Sequence, residues 1–120
     1  MRKQKYIHSL GNAFRGMFVF FSKERNGQIQ LCIAILVLMA GMFFRLNPIE
    51  WIGILLCIAM VLSLEMLNTA LEKLSDMVEP NYNLNIKAIK DIAAAAVLWT
   101  VMISVVIGAI IFIPKIMSLF

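Results

Sequence analysis

The protein has 120 residues, of which 62% are hydrophobic, with a formal net charge of +4 and a mean hydropathy of +0.88. Ordinary globular proteins are about 45–50% apolar, and so short a chain cannot bury this apolar fraction in a soluble core. The composition excludes an ordinary soluble domain. It predicts an all-α membrane protein whose residues 1–120 form a single membrane domain.

The first predicted element is an amphipathic helix over residues 5–25. Its apolar side chains recur at spacings of mostly three or four residues, with polar and basic residues between them. A helix with one apolar and one polar, basic face is suited to lie at a membrane surface. The apolar positions are Ile7, Leu10, Phe14, Met17, Phe18 and Phe21.

Three apolar segments follow, and we expect each to cross the membrane as a helix. The predicted spans are residues 28–45, residues 49–77 and residues 90–113. A span needs about 20 residues, so the first two require their polar flanks to join the helix. Between the second and third spans, residues 78–89 contain the turn-forming sequence EPNYN and are predicted to be a loop.

The basic residues predict the orientation. With a cytoplasmic N-terminus, nine of the 11 Lys and Arg residues face the cytoplasm, and only Arg45 and Lys115 lie outside. This asymmetry follows the positive-inside rule for inner-membrane proteins. It places the loop 78–89 in the cytoplasm, and it explains the net charge without a nucleic-acid partner.

An acidic stripe ends the second span, in the sequence SLEMLNTALEKLSD. On an α-helix, Glu65, Asn68, Glu72 and Asp76 fall within an arc of roughly 100°. Glu65 follows Trp51 by about 21 Å of helix, which is less than the hydrocarbon thickness of about 30 Å. We therefore expect Glu65 below the lipid headgroups, where a carboxylate is costly and a functional candidate.

This stripe has donors suited to a metal-nucleotide site. Mg²⁺ is held by one or two carboxylates together with substrate phosphates, and a deeper carboxylate suits a general base for a lipid hydroxyl. Glu24, Lys90 and Asp91 are predicted at the same membrane surface. They could join the site or be ordinary interfacial charges. The sequence has no phosphate-binding GxxxxGK[ST] loop.

Two other classes of protein could also carry an acidic stripe on a membrane helix. A non-enzymatic membrane subunit could use the carboxylates as an ion pathway, but between Trp51 and Leu64 the only polar side chain is Ser63, and a pathway needs lining groups. The second class is an enzyme that acts on a soluble substrate at the membrane surface. Such an enzyme would not explain why the Glu65 carboxylate lies below the headgroups.

The motifs resemble those of the small prokaryotic diacylglycerol kinases, a family that includes undecaprenol kinases. The string ExxN[ST]AxExxxD is matched from Glu65 to Asp76, ERN stands ahead of the first span, and KDIAAAAV opens the third. The resemblance implies a homotrimer of three-span protomers. It also implies transfer of the γ-phosphoryl group of MgATP to a membrane lipid alcohol, diacylglycerol or undecaprenol.

The resemblance also implies roles for individual residues. Glu65 would be the catalytic base, and Glu24 and Glu72 would be metal ligands that also contact the nucleotide. The other nucleotide-binding residues would be Tyr82, Asn83, Lys90 and Asp91. Asn68 and Asp76 would support the site.

Two positions depart from the family pattern. Asn12 stands where some members have an aromatic residue near the nucleotide, and Gln30 stands where others have an acidic residue or His. The stretch ERNGQIQL is more similar to members that act on polyprenols than to proteobacterial diacylglycerol kinases. The choice between the two lipid alcohols stays open at this point.

Overall fold

The structure, a computed structural model, describes residues 2–120, with side chains described from residue 5 onward. Its elements are α1 (Arg2–Lys23), α2 (Arg25–Phe43), α3 (Pro48–Val78) and α4 (Leu84–Met117). No strand occurs in residues 2–120. Three helices, α2, α3 and α4, are long and apolar enough to cross a membrane. The predicted all-α membrane fold is confirmed.

The corner between α1 and α2 is unusually close. Glu24 has extended backbone angles, φ −96° and ψ 123°, and separates the two helices. Gly27, in the first turns of α2, lies directly under Phe20, and a Cβ atom there would be 2.5 Å from the Phe20 carbonyl oxygen. Only glycine allows α1 to pass this close to α2.

The apolar face of α1 is largely uncovered within the protomer. Ile7, Leu10, Phe14 and Phe18 are exposed, whereas Phe20 is buried against the start of α2. Large apolar patches of this kind mark interaction surfaces. The pattern agrees with a helix that lies against lipid or against another protein surface.

The turn between α2 and α3 is closed at both helix ends. Arg45 has a positive φ of 52°, and the Leu46 N–H donates to the Gly41 carbonyl oxygen at 3.1 Å. The Asn47 side chain accepts from the Glu50 N–H at 2.9 Å, while Glu50 accepts from the Asn47 N–H at 3.1 Å. This reciprocal capping box begins α3 immediately before the apolar run.

Helices α3 and α4 form the main packing contact, and the connection between them is shorter than predicted. The Asn83 side chain accepts from the N–H groups of Asn85 and Ile86, at 2.8 and 3.3 Å, and caps α4. Helix α4 therefore begins at Leu84, inside the segment 78–89 that was predicted to be a loop. It also continues to Met117, beyond the predicted end at residue 113.

Candidate functional site

The acidic stripe lies along α3 and becomes progressively more exposed toward the end of the helix. Glu65 and Asn68 are buried, with 6% and 7% of their surface exposed. Glu72 is half-buried and Asp76 is exposed. The stripe therefore connects the protein interior to the polar end of the helix bundle, with Glu65 as its innermost carboxylate.

Glu65 has an incompletely satisfied carboxylate. Gln30 of α2 lies close to its side chain, and among the described residues its Oε2 atom is buried without a hydrogen-bond partner. The Oδ1 atom of Asn68, one turn later, is in the same condition. Buried polar atoms without partners are costly. Two of them side by side on α3 indicate a place where a ligand supplies the missing donors.

Glu72 follows Asn68 by one turn. The Asn68 Nδ2 atom is 3.5 Å from the Glu72 Oε1 atom, which is at the long limit for a hydrogen bond. Asn68 thus stands between the two carboxylates, with its amide directed toward Glu72. This arrangement agrees with its predicted supporting position.

Glu24 reaches the same region from the corner between α1 and α2. Its Oε1 atom is 2.9 Å from the Lys73 Nζ atom of α3. Because Lys73 directly follows Glu72, this ion pair brings Glu24 to the same level of the bundle as Glu72. Lys73 is a residue of this region that sequence reasoning missed, since only the tertiary contact singles it out.

Two further ion pairs lie at this end of the bundle. The Lys90 Nζ atom is 2.5 Å from the Asp76 Oδ1 atom, which joins α4 to the end of the stripe. The Lys87 Nζ atom is 2.6 Å from the Asp91 Oδ2 atom, one turn apart on α4. Asp76, Lys90 and Asp91 therefore lie near one another in the fold, and the sequence had placed them at the same membrane surface.

The loop residues Tyr82 and Asn83 are placed differently from one another. The Tyr82 side chain is largely exposed, with 78% of its surface accessible. The Asn83 side-chain oxygen caps α4 and is already engaged with two backbone N–H groups. Tyr82 is thus free to contact a ligand, whereas Asn83 would contact one through its remaining amide group.

The donor set fits a nucleotide-bound Mg²⁺ ion better than a metal caged by protein alone. No three His, Cys, Asp or Glu side chains converge as a metal site in the part of the chain that the structure describes. Glu24 and Glu72 are two hard oxygen donors at a similar level along α3, on neighbouring faces of the helix. That number is typical of magnesium sites completed by substrate phosphates.

An apolar cavity adjoins the inner end of the stripe. It has a volume of about 320 Å³ and lies among α2, α3 and α4. Gln30, which faces Glu65, belongs to its lining, and the rest is almost entirely apolar, including Val61, Leu62 and Phe112. The innermost carboxylate therefore lies one helical turn beyond the lining of a space suited to hydrocarbon.

The fold and the site define a small membrane protein of three apolar helices. Its carboxylates and lysines are clustered at one end of the bundle. The family model of prokaryotic diacylglycerol kinase matches residues 11–112, and the chain belongs to this family. Every predicted site residue falls within the matched range. The protein is accordingly a lipid kinase, a phosphotransferase with an alcohol acceptor, and the non-enzymatic interpretation is set aside.

Two relatives are similar over most of this chain. It is 40% identical over 111 residues to an undecaprenol kinase of Bacillus subtilis (strain 168), a match that covers 92% of this chain and 90% of that protein. It is 33% identical over 108 residues to a diacylglycerol kinase of Synechocystis sp., which covers 89% of this chain and 62% of that protein.

Proposed function

We propose that the protein transfers the γ-phosphoryl group of MgATP to the hydroxyl group of a membrane lipid at the cytoplasmic face of the bacterial inner membrane. The observation that carries this proposal is the buried Glu65 carboxylate. One of its oxygens has no partner among the described residues, and Glu65 itself lies on α3 between Val61 and Leu62, which line an apolar cavity, and the carboxylates and lysines at the end of the helix. A lipid hydroxyl and a nucleotide phosphate must meet at such a boundary.

Glu65 is the general base in this mechanism. Its free Oε2 atom accepts the proton of the lipid hydroxyl as the hydroxyl oxygen bonds to the γ-phosphorus, while the bond from that phosphorus to the bridging oxygen breaks and ADP leaves with the bond's electrons. Positioned bases of this kind contribute about 10²- to 10⁴-fold to rate. Gln30 lies near this carboxylate and also lines the apolar cavity, which would receive the first part of the lipid chain.

The remaining residues position the nucleotide. Glu24 and Glu72 would hold Mg²⁺, which neutralises charge on the phosphate oxygens when it is bound. Lys90 and Asp91 would contact the nucleotide phosphates, and Tyr82 would lie near the nucleotide. Phosphoryl transfer depends mostly on such positioning and charge stabilisation. The supporting residues are Asn68, which lies between the carboxylates, Asp76, which holds Lys90, and Asn83, which fixes the start of α4.

Undecaprenol is the acceptor we favour. The relative that is 40% identical is an undecaprenol kinase, and the match covers 90% of its length. Diacylglycerol is the second candidate because it is the substrate named for the family and for the cyanobacterial relative. Both lipids have a primary hydroxyl that can reach Glu65.

The test is phosphate transfer from γ-labelled ATP by the purified protein in mixed micelles, with each alcohol offered separately. We expect labelled lipid with undecaprenol and little or none with diacylglycerol. Label on diacylglycerol alone would reverse the acceptor assignment. A protein that labels neither lipid and binds no MgATP would contradict the proposed function as a whole.

We also propose that the protein acts as a homotrimer. The apolar face of α1 and the outer faces of the three spans are mostly uncovered within one protomer, and a neighbouring copy would cover part of them. Chemical cross-linking in native membranes is expected to yield species up to the trimer. A protomer that remains uncross-linked while active would contradict this assembly.

A further inference from the structure

The ion pair between Glu24 and Lys73 connects two parts of the site. Glu24 belongs to the corner between α1 and α2, and Lys73 belongs to α3. Their side chains are 26% and 65% exposed, and the Nζ and Oε1 atoms are 2.9 Å apart. The carboxylate is held in a partly enclosed position, whereas the ammonium group is largely in solvent.

The charges around this pair are unevenly distributed. Asp76 and Asp91 are already paired with Lys90 and Lys87. Glu72, by contrast, has no ion pair among the described residues, and its carboxylate accepts a long hydrogen bond of 3.5 Å from the Asn68 amide. Of the two carboxylates that would hold Mg²⁺, one is therefore neutralised by a lysine and the other is not.

A divalent cation and the Lys73 ammonium group compete for the Glu24 carboxylate. Two cations on one carboxylate repel each other, and Lys73 is the one that can move. Its ammonium group is a compact charge on a flexible stem, and its side chain is 65% exposed, which leaves it room to move into solvent. A nucleotide brings phosphate oxygens to the same level of the bundle, which offers the displaced ammonium group a new partner.

We propose that Lys73 is a resident counter-cation of the metal site, which pairs with Glu24 before metal-nucleotide binds and with the nucleotide phosphates afterwards. This inference rests on the proposed function. It assigns Lys73 two opposite effects, because Lys73 opposes the binding of a metal ion alone and favours the binding of the metal-nucleotide complex. A lysine that only ties α1 to α3 would have neither effect.

The experiment measures two affinities in the purified full-length protein in detergent. The first is for Mn²⁺ alone, followed by electron paramagnetic resonance, and the second is for Mg²⁺ with a non-hydrolysable ATP analogue, followed by calorimetry. In Lys73→Met we expect Mn²⁺ to bind more tightly and the nucleotide complex more weakly. Each change is expected to be about 3- to 10-fold, as suits a partly exposed charge pair.

Two variants control the measurement. Lys23→Met removes the same charge from an exposed lysine adjacent to Glu24 and is expected to leave both affinities within about twofold, since exposed unpaired charges contribute little. Lys73→Arg keeps the cation and is expected to behave as the unaltered protein does. It also establishes that the effect follows the charge at position 73.

The outcomes separate the possible explanations. If Lys73→Met binds Mn²⁺ as Lys23→Met does, the counter-cation role is wrong. If both affinities of Lys73→Met fall together, Lys73 is a structural tether, and the proposal is likewise overturned. Failure of the unaltered protein to bind the nucleotide complex would instead contradict the proposed kinase function itself.

Discussion

Glu65 and Asn68 are adjacent on one face of α3, and each has a buried oxygen atom without a partner among the described residues. Native interiors rarely leave such atoms unpaired, and a cavity of about 320 Å³ is lined by Val61 and Leu62, one helical turn before Glu65. A supporting role in folding would be served better by apolar side chains. We therefore interpret Glu65 as the proposed proton acceptor for an incoming hydroxyl.

Replacing Glu65 by Gln tests this assignment at the level of one residue. The amide keeps the shape of the side chain but cannot accept the hydroxyl proton, so we expect turnover to fall by about 10²- to 10⁴-fold. Binding of the ATP analogue should change little, because the proposed metal ligands are untouched. Phosphate transfer and calorimetry on the same preparation measure both. Near-normal turnover in this variant would remove Glu65 from the mechanism.

Glu72→Gln addresses metal binding separately from proton transfer. Because the amide is a weaker ligand for a hard cation than the carboxylate is, we expect the Mg²⁺ concentration for half-maximal activity to rise several-fold. The KM for the lipid should rise less. Glu79→Gln, in the loop after α3, is the matched control and should leave the Mg²⁺ titration unchanged. An unaltered titration for Glu72→Gln would exclude it as a metal ligand.

Much of the candidate site was predictable at this scale, because the helix period alone puts residues 65, 68, 72 and 76 on one face. The increase in exposure from Glu65 to Asp76 follows the predicted order. The pairing of Lys73 was not predictable. It depends on α1 ending at Lys23, which turns Glu24 toward a different face of α3.

Among the helices, the corner between α1 and α2 has the strictest geometry. Glu24 is the only residue between the two helices, so its carboxylate is placed by the way α1 crosses α2. That crossing depends on Gly27, where a Cβ atom would be 2.5 Å from the backbone of Phe20. The position of a proposed metal ligand is therefore coupled to the packing of two helices.

Gly27→Ala is expected to disturb both stability and metal binding. The added methyl group forces α1 away from α2, and overpacking of this kind costs about 1–3 kcal/mol. Thermal unfolding in detergent should shift downward, and Mn²⁺ affinity should fall because Glu24 moves with α1. Both are measurable on one preparation by circular dichroism and electron paramagnetic resonance.

Gly11→Ala provides the control on the same helix. Nothing lies within 4 Å of a Cβ atom at Gly11, so alanine there should be neutral or stabilise the helix by up to about 1 kcal/mol. If the two variants unfold alike, the close approach at Gly27 does not determine the corner.

The helix bounds were only partly predictable. Turn-forming residues indicated where α3 and α4 are separated, but the sequence NYNLN contains three Asn residues that could cap a helix. The structure selects Asn83, so α4 gains residues 84–89 at its start. Local composition indicates a turn, whereas the choice among similar caps depends on how α4 packs against α3.

The whole molecule has two polar ends of different character. One end carries Glu24, Glu72, Asp76 and the lysines paired around them, which together make the candidate site. The opposite end carries one described ion pair, in which Lys115 Nζ is 3.1 Å from Glu50 Oε1 and joins the end of α4 to the start of α3. The proposed use of ATP requires the first end to face the cytoplasm.

Cysteine accessibility tests this orientation. Starting from a chain in which Cys32 and Cys57 are replaced by Ser, one variant carries Asn81→Cys in the loop between α3 and α4, and the other carries Ser118→Cys after α4. The basic residues predict that a membrane-impermeant maleimide labels only Ser118→Cys in intact spheroplasts. Asn81→Cys should react after the membrane is opened. The reverse pattern would put the carboxylates where no cellular ATP reaches them, and the kinase mechanism would fail with the topology.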